Sequence, residues 1–504
     1  MSWSWGYSPK IEKYIPLDGF PTDRYLVIAL HAIKNLGWNL SHVSESGIIA
    51  YTGLSWQSYS EEISIRTISG FGIVKSECVG IQMLFNDYGK NSDNLKNFFD
   101  EFEYVEYHLK DSWEEELMLY YAEAVLQDDD YFERAPLASK EKINNIFNLF
   151  TPRKGYIATP ILVQLNVLYY ILTTAILFFP FQQSGASNSA SGAWSSIYHH
   201  LGVNNRYLTL SGDYWRLITS QFMHFSLGHV FFNMYSLIYI GLMVENKIGS
   251  LRFLIIYILS GIIGGAISIL FHPIGNIAGA SGAILGMFGC FFALLIHGDF
   301  EKNARKALLI STFLVVTIIL INGLQRGIDN AAHVVGLTSG FVFTWIFRWA
   351  SQKNKLKPLW TYASVVFLAL AVTGTVLKIT PNYQIEKFNE LSYSYHRNEF
   401  QAWRIYYYNN YFPNGSKDEK LRRITHYGIS NWQKNVAISK EMQSLILPES
   451  HKQKVERMTR FAKILLKINQ LLYFECAEGT EKYRPEIERL TKQMNAIKKR
   501  NYEF

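Results

Sequence analysis

Residues 279–282 read G-A-S-G, and Ser281 opens an apolar run, A-I-L-G-M-F-G-C-F-F-A-L-L-I, with no charge before Asp299. A serine hydroxyl is a weak nucleophile until a neighbouring base takes its proton. Gly279 and Gly282 leave space beside it for another backbone. The unpaired N–H groups of a helix start at this point could also hold an anion. Taken alone, such a serine is more often a helix cap in a small-residue packing motif. A candidate base stands in N-A-A-H-V-V-G-L-T-S-G, where His333 is followed at i+3 and i+7 by Gly336 and Gly340. These three share one helical face with almost no bulk, and Gly282, Gly286 and Gly289 give the serine segment a small face of its own. If the two faces meet, Ser281 and His333 lie at one depth as nucleophile and base. A third group is H-F-S-L-G-H-V-F-F-N-M, with His229 and Asn233 at i and i+4 and His224 just before them. His229 and Asn233 can donate hydrogen bonds into a dry cavity, which a tetrahedral oxyanion requires; one such donor is worth ~10²–10³ in rate. Their plainer reading is polar glue between helices.

These residues need helices in lipid to hold them. The chain has 504 residues, room for roughly two to four domains, and a mean hydropathy of +0.01 that suits a mixture of membrane and soluble parts. Residues 1–155 hold 14 Lys+Arg against 23 Asp+Glu, residues 381–504 hold 22 against 14, and the 225 residues between hold only 13 and 5. That charge-poor middle is the membrane part. A crossing helix takes about 20 mostly apolar residues, and seven candidates appear, near 160–180, 226–244, 251–271, 281–297, 306–323, 330–348 and 359–378. They are too long and uniformly apolar for barrel strands. Ser281, His333 and His229 all fall at the same end of their spans. Ionisable groups in such places are costly and point to function.

Basic residues in short loops orient the spans. Arg153 and Lys154, Lys247 and Arg252, Lys302, Arg305 and Lys306, and Arg348, Lys353, Lys355 and Lys357 mark cytoplasmic connections, while H-P-I-G-N-I-A-G-A and N-G-L-Q-R-G-I-D-N face outward. The N-terminus is then cytoplasmic and, after seven crossings, the C-terminal region lies outside. The start, M-S-W-S-W-G-Y-S-P-K, lacks the basic and apolar regions of a secretory signal. Residues 1–155 read as a soluble α+β domain: a helix over 25–34 after a Thr22/Asp23 cap, strands over 62–68 and 71–78 joined at Ser69-Gly70, and further helix over 94–126. Residues 381–504, rich in Tyr, Lys and Glu without strand alternation, read as a helical domain. Cys78, Cys290 and Cys476 are far apart and have neither metal nor redox spacing.

The motifs G-A-S-G at 279–282, A-H-V-V-G at 332–336, H-V-F-F-N-M at 229–234 and the Trp215-Arg216 pair together resemble the rhomboid family of intramembrane serine proteases. The match covers about 160–350, in order and at matching depth. The resemblance implies an all-α polytopic membrane protein, a rhomboid-like bundle with seven spans, flanked by the two soluble domains. A six-span catalytic core occupies 156–350, and a linker and seventh helix at 351–380 give the six-plus-one form. It implies that Ser281 is the nucleophile and His333 the general base, with His229, Asn233 and the Ser281 N–H binding the oxyanion. Gly279, Gly282, Gly286, Gly336 and Gly340 pack the helices around the site. The family uses a Ser–His dyad without metal, cofactor or acidic third member, so Asp329 is a loop or cap residue. Many relatives place an aromatic residue where Leu285 stands, packed on the histidine. The implied activity is hydrolysis of peptide bonds in or beside transmembrane helices of membrane proteins, in the plasma (inner) membrane, with no role for nucleic acid. Substrates with Gly, Ala, Ser or Pro near the outer boundary suit it, because their helices unwind at lower cost. Two other readings compete: a catalytically inactive relative that binds membrane proteins and controls their traffic or turnover, which typically lacks Ser or His, and a transporter or channel, which calls for mid-membrane charges or broken helices in symmetric halves.

Overall fold

The computed structural model describes residues 9–55, 58–80, 86–109, 113–124, 146–184, 197–323, 329–352, 358–411 and 415–501. Arg326, Lys353, Lys355 and Lys357, used above to orient loops, lie outside them, as does part of the helix expected over 94–126. Contacts divide the chain into two compact units, Met1–Ile379 and Thr380–Phe504.

The first unit begins with an antiparallel sheet. Strands Lys10–Pro16 (β1), Asn39–Ser44 (β2), Gly47–Tyr51 (β3), Glu61–Ile68 (β4) and Phe71–Cys78 (β5) lie in the order β1-β5-β4-β3-β2. The β4–β5 hairpin turns through Ser69 and Gly70, both left-handed at φ 50° and 79°. Two such residues match the twist of paired strands. Helices Thr22–Asn35 (α1), Lys90–His108 (α2) and Trp113–Glu123 (α3) join the sheet around a core that includes Leu26, Ile28, Ile63, Ile65, Val74 and Phe98. The expected start of α1 needs correction: its cap residue is Pro21, without a side-chain capping bond. Thr22 is already helical, and Asp23 accepts from the neighbouring Arg24 N–H. Strands β1, β2 and β3 escaped the sequence reading. In β3, G-I-I-A-Y, every residue is buried, so no alternation marks it.

Seven apolar helices follow: Ala158–Ser184 (α4), Leu227–Ile248 (α5), Ser250–Phe271 (α6), Ser281–His297 (α7), Lys302–Asn322 (α8), Asn330–Gln352 (α9) and Pro358–Ile379 (α10). Six of them are long and apolar enough to cross a membrane; α7 is shorter, with 17 residues. At 1.5 Å per residue α7 is about 26 Å long, less than the ~30 Å hydrocarbon thickness. It is also the centre of the bundle, packed on α5, α6, α8 and α9. Ile49, Tyr51 and Val79 of the sheet region share the apolar cluster of these helices, and Gly80 lies against Ser311 of α8.

One buried carboxylate ties the bundle at the end opposite Ser281. Glu245, fully buried in α5, accepts from the N–H groups of Ile157, Ala158 and Thr159 at 2.6, 2.7 and 2.9 Å, from Thr159 Oγ1 at 2.7 Å and from Ser250 Oγ at 2.6 Å. It thus caps the first turn of α4, where orphan donors and the helix dipole favour an anion.

Every element of the second unit is helical among the described residues: Ile385–Tyr411 (α11), Lys417–Arg423 (α12), which runs on through a π-helical turn at Ile424–Ile429, Ser430–Gln443 (α13), Glu449–Glu478 (α14) and Arg484–Asn501 (α15). Its core is built on Tyr395, Trp432, Met442, Ala462 and Leu465. Asn435 donates to the Tyr395 carbonyl at 3.1 Å and Tyr395 to the Met458 carbonyl at 2.9 Å, joining α11, α13 and α14.

Candidate active site

α7 and α9 touch through backbone. A Cβ on Gly336 would stand 3.0 Å from the Gly282 carbonyl carbon and closer still to its oxygen; one on Gly340 would collide with the Gly286 carbonyl, and one on Gly289 with the Leu337 carbonyl. Only glycines let these two helices approach so far. On this seam, at the start of both helices, His333 Nε2 stands 2.8 Å from Ser281 Oγ. Ser281 is the first helical residue, after Ala280 at the cap position, so it is not the cap that a serine there suggests. Its hydroxyl faces the histidine. His333 Nδ1 is buried without a protein partner among the described residues.

The approach to Ser281 is fixed by the loop before it. Gly279 has φ 128°, which a side chain rarely permits, and a Cβ there would stand 2.8 Å from His229 Nε2. The Gly279 N–H donates to the Ser220 carbonyl at 2.9 Å. Two residues earlier, Ile277 pairs with Asn204 through both backbone bonds, at 2.8 and 3.0 Å. The segment that supplies Asn204 is held by Arg216, which is buried, donates to the carbonyls of His199 at 2.5 Å and Val203 at 3.2 Å, and pairs with Asp213 at 2.8 Å. Its guanidinium also lies 4.5 Å from the Trp215 ring. Arg216, with Trp215 beside it, therefore organises the segment before α5 through its bonds to His199, Val203 and Asp213.

α5 brings the third group. Ser226 caps it by accepting the His229 N–H at 3.2 Å, which sets the helix start and the side of His229. His229 and Asn233 both face Gly279; a Cβ at that glycine would be 3.9 Å from Asn233 Nδ2. Asn233 Nδ2 is buried without a protein acceptor among the described residues. His224 precedes the helix and packs edge-on against His229, with ring centroids 4.9 Å apart. Burial, with the neighbouring His229 adding to it, pushes the His224 imidazole down to about 3. It is neutral at ordinary pH. The corner between Gly279, Asn233 and Ser281 thus places the Asn233 amide near a hydroxyl that contacts the His333 imidazole.

Sequence reasoning read Asp329 as a loop or cap residue but missed its bonds to the end of α6 and the other residues that hold this arrangement. Asp329 accepts from the Ala332 N–H at 3.1 Å, from His272 Nε2 at 3.2 Å and from Ser268 Oγ. Asn330 Nδ2 donates to the Leu320 carbonyl at 2.9 Å, joining α9 to α8. Arg206 Nε and a terminal guanidinium nitrogen donate to the Ile269 and Leu270 carbonyls at 2.5 and 2.6 Å, closing the end of α6. Apart from the Asp329–Ala332 cap, nothing in their local sequence marks these roles, because the remaining partners are ten or more residues away. Leu285, at the position of the family aromatic, is buried in the bundle core.

Comparison with known proteins agrees with this architecture. A Rhomboid domain model matches residues 211–350. The chain is 30% identical over 220 residues to RHOMBOID-like protein 6, mitochondrial, of Arabidopsis thaliana, covering 40% of this chain and 72% of that protein. It is 31% identical over 182 residues to Inactive RHOMBOID-like protein 8 of Arabidopsis thaliana, covering 36% and 51%. It is 36% identical over 177 residues to Rhomboid protease GluP of Bacillus subtilis (strain 168), covering 34% and 32%. For several relatives the chain spans about half their length, 48%, 49% and 51%. The glycine seam, the short central helix, the serine and histidine that meet there and these likenesses lead to one assignment: the chain is a polytopic membrane protein that belongs to the rhomboid family.

Proposed function

We propose that this rhomboid is an active intramembrane serine endopeptidase that cleaves transmembrane proteins through Ser281 and His333. The observation that carries the reading is the 2.8 Å separation of Ser281 Oγ and His333 Nε2 on the glycine seam. With its proton on Nδ1, His333 accepts the hydroxyl proton at Nε2 as Ser281 Oγ attacks the scissile carbonyl. The carbonyl oxygen becomes an anion beside the Ser281 N–H, His229 and Asn233. These donors need little rearrangement to bind it. The imidazolium then returns its proton to the departing amine, and an acyl-enzyme remains. Water, deprotonated by the same histidine, hydrolyses it. Asp329 is not assigned as an acidic third member, since its carboxylate oxygens are engaged by Ser268, His272 and the Ala332 N–H.

The short α7 supports a site set below the membrane surface and open to water from one side. A substrate helix must unwind to present a carbonyl there, which favours Gly, Ala, Ser or Pro near the cut. The basic loops support a cytoplasmic sheet domain, a site at the outer face and a C-terminal unit outside; the plasma membrane is the location proposed. Labelling by a fluorophosphonate probe, alongside cleavage of a reconstituted transmembrane substrate, tests the reading. Wild type should label and cut, whereas Ser281→Ala and His333→Ala should do neither while inserting normally, and the double variant should be no worse than either single one. Equal cutting by Ser281→Ala would end the proposal.

A further inference from the structure

The first turn of α9 is held from three sides. Asp329, immediately before the helix, accepts the Ala332 N–H at 3.1 Å, an N-terminal capping bond. The same carboxylate is bonded by Ser268 Oγ and, at 3.2 Å, by His272 Nε2, both at the end of α6. Ser268 is fully buried and the Asp329 side chain mostly so, which strengthens the bond between them. Asn330 fastens the turn to α8 through the Leu320 carbonyl at 2.9 Å. The turn has no slack where it meets its neighbours: a Cβ on Gly264 of α6 would stand 3.3 Å from the Ala332 carbonyl oxygen, and one on Gly282 of α7 3.6 Å from the Ala332 Cβ. His333 follows directly, and its own N–H donates to the Asp329 carbonyl at 3.2 Å.

We infer that Asp329 is a positioning residue: by clamping the first turn of α9 to the end of α6 it sets the place from which His333 reaches Ser281. This rests on the proteolytic reading above. It differs from the role of a third triad member, because Asp329 bonds the backbone of the turn and, among the described residues, makes no hydrogen bond to the imidazole. A shift of the turn by about 1 Å is enough to break a 2.8 Å contact, and misplacement of that size costs up to ~10²-fold in rate.

Asp329→Ala and Asp329→Asn in the full-length protein, reconstituted with a transmembrane substrate, test it. Asp329→Ala should lower kcat by about 10–10²-fold with little change in KM, since substrate binding does not involve the clamp. Asp329→Asn should recover most of the loss, because its amide oxygen still accepts the Ala332 N–H and its NH2 group can donate to Ser268 Oγ. The acid limb of the kcat profile should stay in place in both variants. Normal kcat in Asp329→Ala, even with a lowered Tm, would reduce Asp329 to fold stability. An acid limb displaced equally in both variants would make it a charge partner of the imidazole. Either result overturns the inference. Amide hydrogen exchange over residues 330–334 gives a readout free of activity: faster exchange in Asp329→Ala, restored in Asp329→Asn, is required. Absence of probe labelling in wild type would refute the protease reading while leaving the exchange result to decide the clamp.

Discussion

Gly336→Ala tests whether the α7–α9 seam sets the chemistry. The added methyl would sit 3.0 Å from the Gly282 carbonyl carbon and nearer its oxygen. Ordinary carbon–oxygen contacts are about 3.3–3.6 Å, and the obstacle is backbone, which no rotamer change moves aside. The helices must therefore separate by something near 1 Å. Gly336 is one turn after His333 and Gly282 is next to Ser281, so the separation falls on the reacting pair. A contact of 2.8 Å would lengthen to roughly 3.8 Å, beyond hydrogen-bond reach. The expected loss of kcat is about 10²-fold, within the ~10²–10⁴ that a positioned general base contributes. Overpacking should also cost ~1–3 kcal/mol of stability. Gly374→Ala in α10 is the matched control, since nothing lies within 4 Å of its Cβ position. Both variants would be assayed for substrate turnover and for the rate of fluorophosphonate labelling, at a temperature where both are folded. Gly336→Ala turning over at the wild-type rate would refute the reasoning, because the pair would then tolerate a seam that the packing forbids.

Three further outcomes are expected. Asn233→Ala should lower kcat by ~10–10³ with the Ser281 N–H and His229 still present; turnover unchanged alongside a stability loss near ~0.6 kcal/mol would assign it to helix packing. Glu245→Ala should strip an acceptor from three backbone N–H groups of α4 and lower stability by on the order of 3 kcal/mol, seen as a reduced Tm with kcat retained at low temperature. Reporters fused at Met1 and after Phe504 should read cytoplasm and exterior respectively, and two ends on one side would refute the seven-crossing topology.

The spans were legible in the chain itself, as were the serine and histidine that the structure brings into contact. Apolar runs near the length of a bilayer admit only helices, because lipid offers backbone groups no partner. The periodic glycines around Ser281 and His333 marked faces able to come together, and i, i+4 spacing placed His229 with Asn233. These are local signals, carried within one helix or one turn. Three strands of the N-terminal sheet were not legible: β3 is buried on both faces and shows no alternation. Nor was the start of α1, where Pro21 takes the place expected for a side-chain cap. The supporting residues were hidden for a further reason. Asp329 is bonded by Ser268 and His272, Gly279 by Ser220, Ile277 by Asn204, and Glu245 by the first turn of α4. Each of these pairs joins segments distant in sequence, so no spacing announces it. The sequence by itself determined which helices form and which side chains could react. Only the tertiary packing decided that the seam closes to backbone contact, that Ser281 is a first-turn residue facing His333 rather than a cap, and which buried polar groups hold the pair in place; hydrogen bonds between distant segments exist only once the helices have met.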